Sequence, residues 1–161
     1  MSIHPYPRAF RFLPLAAAIL LIPAGRLSSQ PAITLNGGNI TMAITSGQAG
    51  LEPVAVTNTT ISLDYRRQTA ISKITVATTC PGQKFSLAVV ATSASLGNIM
   101  PQVNLVNGMA AADLIRDIPQ RPPPSLQTAN LQYTASATFA QGNSAELGDD
   151  VHTVVYTIVA Q

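Results

Sequence analysis

The sequence predicts an all-β protein, an antiparallel β-sandwich with one short crossover helix. Three observations predict it. Residues 129–140 alternate, with Leu131, Tyr133, Ala135, Ala137 and Phe139 on one face and Asn130, Gln132, Thr134, Ser136 and Thr138 on the other. Side chains of a strand alternate faces with period two, so this pattern asks for one dry face and one wet face. Runs of the same kind, rich in Val, Ile and Thr, recur between Gly, Pro, Asn and Ser clusters. That spacing marks a sandwich or barrel. Only residues 109–118 carry a different period.

The N-terminus comes first. Arg8 and Arg11 precede an uncharged apolar run from Phe12 to Ala24, and Leu27-Ser28-Ser29 supplies small residues ahead of Gln30. At about 13 residues the run is short of the ~20 needed to span a bilayer. It reads as an export signal, residues 1–29, cleaved after Ser29, rather than as a membrane anchor. Residues 30–161 are then one β-sandwich domain with no transmembrane segment. Nine Lys/Arg less Arg8, Arg11 and Arg26 leaves six against seven Asp/Glu, a net charge near −1. The basic excess belongs to the signal. Nucleic acid and anionic membranes call for a clustered basic face, and here the one adjacent pair is Arg66-Arg67.

Ile33 and Leu35 alternate before the Asn36-Gly37-Gly38-Asn39 break, and Ile40, Met42 and Ile44 alternate after it. Val54 and Val56 follow Pro53. Ile61, Leu63 and Tyr65 oppose Ser62, Asp64 and Arg66; Ile74, Val76, Thr78 and Cys80 oppose Lys73, Thr75 and Thr79. Pro81-Gly82 is a turn, after which Phe85, Leu87, Val89 and Ala91 form the next face. Val103 and Leu105 make a shorter run. Ala111, Leu114, Ile115 and Ile118 then fall at helical spacing, which predicts a helix over about 110–118, stopped by Pro119 and Pro122-Pro123-Pro124. Arg121 to Gln127 reads as a stiff exposed connector. In the last run Val154, Tyr156, Ile158 and Ala160 oppose Thr153 and Thr157, with Val155 and Val159 making the second face only partly polar. The 129–140 and 151–160 strands are expected to pair with each other across the 141–150 loop.

Chemistry is scarce. Beyond the signal there is one cysteine, Cys80, and one histidine, His152, with no Gly-x-Ser-x-Gly elbow and no histidine pair for a metal. Cys80 reads as a small buried hydrophobe at a strand end, and His152 as a rim residue. Glu146, Asp149 and Asp150 match no calcium-loop spacing, and Asp113 and Asp117 read as a wet helix face. Asn39-Ile-Thr41 and Asn58-Thr-Thr60 fit the glycosylation acceptor pattern. With no tryptophan, a stacking platform for sugars or bases is lacking. No catalytic residue, cofactor or metal ligand is therefore expected.

Asn130-Leu-Gln-Tyr133, a long Gly/Asn loop and His152-Thr-Val-Val-Tyr-Thr-Ile158 together resemble the end of spore coat protein U-type domains, shared with pilins of archaic chaperone–usher systems. The resemblance covers about 35 residues, mainly 128–161. It implies an Ig-like antiparallel β-sandwich that polymerises by donor-strand exchange, one subunit's N-terminal segment completing the next subunit's sheet. It also implies a periplasmic chaperone as a partner. This chain departs from that pattern in having one cysteine, in ending Ala160-Gln161, and in the Gly37-Gly38 interruption. On this resemblance residues 30–45, with Ile33, Leu35, Ile40, Met42 and Ile44, are the expected donor or edge strand. Leu131, Tyr133, Phe139, Val154, Tyr156 and Ile158 are the expected core or acceptor strands. The expectation is an exported, non-enzymatic subunit of a surface fibre, pilus or coat, self-associating into a homopolymer or with related subunits. The alternative is a monomeric periplasmic or secreted binding module using the loops at 95–101, 119–127 and 141–150.

Overall fold

The computed structural model describes residues 32–46, 50–120, 126–142 and 144–161. The segment read as an export signal and the Pro122-Pro123-Pro124 run lie outside the described residues. Among the described residues ten strands run in chain order: β1 Ile33–Asn36, β2 Val56–Asn58, β3 Ser62–Arg66, β4 Ser72–Thr79, β5 Ser86–Ala94, β6 Asn98–Ile99, β7 Val103–Leu105, β8 Ala112–Ile118, β9 Leu126–Ser136 and β10 Thr153–Ala160. They form two sheets whose pairings are all antiparallel, so the predicted all-β sandwich holds.

One sheet runs β1-β3-β9-β5-β7, with β2 also on β9. β2 and β3 share one margin of β9, Asn58 opposite Tyr133 and Ser62 opposite Asn130. Between them the Asn58 carboxamide oxygen accepts from the Thr60 N–H and hydroxyl, bending the chain locally. The second sheet runs β10-β4-β8-β6. Both sheets supply the core: Leu63, Tyr65, Val89 and Leu131 from the first, Ile74, Val76, Leu114, Ile115 and Ile118 from the second, all buried. Each such side chain stabilises the fold by roughly 1.5–3 kcal/mol. Tyr65 satisfies its buried hydroxyl at Leu96, donating to the carbonyl at 2.5 Å and accepting from the N–H at 3.1 Å.

The crossover helix is overturned: residues 112–118 form β8. Along β8 the partners of Ser72, Ile74 and Thr75 are Ile118, Ile115 and Asp113, so β8 carries an extra residue in each of two places. Each bulge resets the alternation. Leu114 and Ile115 are therefore both buried although adjacent, and Ile118 returns to the core. Positive φ at Asp117 (55°) accompanies the second reset. Two bulges imitate helical spacing with a strand.

Two further expectations fail. β10 pairs with β4, residue for residue from Thr153 opposite Thr79 to Ala160 opposite Ser72, and so lies in the opposite sheet from β9. Phe139, expected in the core, sits in a 3-10 turn over Phe139–Gln141 and is 60% exposed. The alternation of β9 ends at Ser136, where the Thr138–Gln141 capping box turns the chain instead.

Candidate functional site

β10 is an edge strand. Thr, Val, Tyr and Ile fill it, residue types that fit a pleated surface. It bonds β4 on one side and, among the described residues, has no strand on the other. Every second backbone N–H and C=O along an edge points outward and can pair with an added strand. Among the described residues the other marginal strands are short: β6 has two residues, β2 and β7 three each and β1 four. β10 has eight, with no charge, proline or glycine to discourage pairing.

Its two faces differ. Val154, Tyr156 and Ile158 are half-buried against the core. The Tyr156 hydroxyl meets that of Tyr133 on β9, the contact by which the two strands, though in opposite sheets, do touch. Burial pushes the Tyr156 phenol far above its ordinary range, and the adjacent Tyr133 adds to the push. Burial likewise raises Tyr133, offset in part by the hydrogen bond. Outward lie Thr153, Val155 (53% exposed), Thr157 and Val159 (37% exposed). Leu131 and Tyr133 are buried as expected.

The expected donor residues divide into two groups. Ile33 and Leu35 belong to β1 and face Tyr65 and Leu63 of the same chain's β3; Ile33 is half-buried and Leu35 exposed. Ile40, Met42 and Ile44 are half-buried, alternating with exposed Thr41, Ala43 and Thr45. Ile40 and Met42 pack on the core. No described strand pairs with this stretch, and its one recorded backbone bond runs from the Val54 N–H to the Ser46 carbonyl at 2.9 Å.

At the foot of β10 the fold gathers residues that the sequence left apart. Cys80 follows β4 and His152 precedes β10, so the Thr79–Thr153 pair sets them side by side. Asp150 joins them, and one ligand atom from each lies within 4.8 Å of the other two. Asp150 is fixed by the Lys84 and Phe85 N–H groups, both donating to Oδ2, at 2.9 and 2.7 Å. The Lys84 ammonium donates to the Leu147 carbonyl, tying the 144–150 segment to the same turn. His152 Nδ1 lies 3.2 Å from the Thr78 hydroxyl, which also donates to the Thr153 carbonyl at 3.3 Å. Cys80 is 1% exposed, and its N–H donates to Asn107 Oδ1 at 2.8 Å. Burial, then the Asp150 charge, raises the thiol. Burial lowers His152, against the pull of Asp150. A neutral thiol beside a neutral imidazole is the resting state these surroundings favour, the reverse of an activated thiolate–imidazolium pair.

Asp113 and Asp117 have structural partners. Asp113 pairs with Lys73 at 2.7 Å and Arg116 at 3.5 Å. Asp117 accepts from Asn98 Nδ2 at 2.9 Å and Gln161 Nε2 at 2.8 Å, bonds that hold its carboxyl below the ordinary range. Among the described residues no helix is long and apolar enough to cross a membrane. Comparison with known protein families, with curated proteins and with solved structures finds no match for this chain.

Proposed function

We propose that this chain is an exported structural subunit that assembles by β-strand addition at the free edge of β10. The observation that carries the reading is that edge: eight regular, uncharged residues, paired on one side only among the described residues. Strand addition draws affinity from main-chain hydrogen bonds and selectivity from alternating side chains. The added strand must present apolar residues toward Val154, Tyr156 and Ile158 and small or polar ones outward. Residues 39–45 have that pattern, and among the described residues they belong to no ladder that would have to break for them to donate. Ile40, Met42 and Ile44 of a neighbouring copy are thus the better donor, with β1 a strand already in use. An Ig-like subunit of a fibre or coat, without catalysis and with an export chaperone guarding the edge, is the role this supports.

The test is the assembly state of the exported chain. Wild type should form SDS-resistant ladders and filaments or sheets under the electron microscope. Val155→Lys with Val159→Lys puts charges on the exposed face of the edge strand, and should leave a monomer with an unchanged melting transition. A wild-type chain that stays monomeric at high concentration and melts cooperatively would sink strand addition. It would return the chain to a binding module using its loops.

A further inference from the structure

We propose that Cys80, Asp150 and His152 form a metal site for Zn²⁺ or a similar borderline divalent transition ion, held at the foot of β10. Thiolate, imidazole and carboxylate are together the donor set such an ion takes, and three protein ligands leave a fourth position for water. A tetrahedral ion with bonds of about 2.0–2.3 Å sets its ligand atoms roughly 3.3–3.8 Å apart. The three atoms here already lie within 4.8 Å of one another, so small side-chain adjustments close the site.

The surroundings are those of a built site. Metal-binding imidazoles and carboxylates are oriented by a second set of hydrogen bonds. The two polar members have one, Asp150 from the Lys84 and Phe85 N–H groups and His152 with Thr78, while the Cys80 backbone is held by Asn107. With the Thr78 hydroxyl donating to the Thr153 carbonyl, it can accept from His152 Nδ1–H, the tautomer that leaves the Nε2 lone pair for a metal. Cys80 is buried while Asp150 and His152 are half-buried, which leaves an approach from the solvent side.

The charge count also fits. A thiolate beside the Asp150 carboxylate is costly without a cation. On binding, Cys80 loses its proton to solvent and sulfur donates the freed pair to the metal. Thiolate and carboxylate together neutralise the dication, and imidazole stays neutral. Nothing is oxidised or reduced. The ion would pin the end of β4 to the start of β10, the strand whose edge the assembly uses, although the site stands without that role.

Co²⁺ is the probe. Titrated into the reduced, chelator-stripped full chain, it should give a near-ultraviolet thiolate-to-cobalt charge-transfer band that saturates at one equivalent, and Zn²⁺ should remove it. Cys80→Ser should abolish the band, and His152→Gln should weaken Zn²⁺ binding at least tenfold. In wild type, Zn²⁺ should raise the melting temperature, since an ion that binds only the native state stabilises it. This last measurement decides the matter even if a variant fails to fold. Absence of both band and thermal shift overturns the site, as does binding of equal strength in folded Cys80→Ser and His152→Gln chains.

Discussion

Tyr133 and Tyr156 share one hydroxyl–hydroxyl contact across the sandwich, in surroundings dry enough to raise both phenols. Removing one hydroxyl leaves the other without its partner, whereas removing both leaves two apolar rings. Tyr133→Phe or Tyr156→Phe should each cost about 1–2 kcal/mol, and the double variant less than the sum of the two, in urea melts. Asp117 gives the pH dependence. Its carboxyl is held low, first by the Asn98 and then by the Gln161 hydrogen bond. A depressed folded value adds stability that is complete above the unfolded value, near 3.9, and is lost as pH falls through the folded one. Asp117→Asn should flatten the acid limb of the stability–pH curve below about pH 4, melting below wild type at pH 7 and converging with it in acid. An unchanged acid limb would assign no linkage to this carboxylate.

At the scale of the element, legibility followed regular alternation. β3, β4, β5, β9 and β10 were visible because one apolar face runs unbroken over most of each. β8 was not, because its two extra residues put Leu114, Ile115 and Ile118 at helical spacing. Bulges follow from partner register, which a single strand does not display. The cluster at Cys80 was hidden for a related reason. Pairing β10 with β9 on proximity in sequence, instead of with β4, removes the register that sets residue 80 beside 152. The turn into β6 supplies a test of the β8 geometry. Gly97 has φ of 93°, and a Cβ there would lie 2.7 Å from both the Arg116 carbonyl oxygen and Ile115 Cγ2. Backbone cannot yield as a flexible side chain does, so Gly97→Ala should destabilise by about 2 kcal/mol or more. A neutral result in thermal melts would mean that β6 does not close on β8 as described.

For the whole molecule the deciding quantity is what its surface leaves unpaired. Among the described residues the marginal strands β1, β2, β6 and β7 have four residues or fewer, and β10 has eight without a charge. The chain as a whole is only 10% Asp, Glu, Lys and Arg, so long-range repulsion between copies is weak. Association at β10 would then rest on backbone hydrogen bonds and apolar burial, which respond to salt differently from ion pairs. Raising sodium chloride from about 0.05 to 0.5 M shortens the Debye length from roughly 14 to 4 Å and would strip a charge-driven contact. Assembly through this edge should change little over that range in light scattering. Sulfate, which is excluded from protein surfaces, should accelerate it. Steep dissociation in sodium chloride would place the contact on the charged residues outside β10, among them Arg66, Arg116 and Lys73. Salt-tolerant assembly abolished by Val155→Lys with Val159→Lys would locate it on the edge strand, because those two changes add charge to that strand and nowhere else.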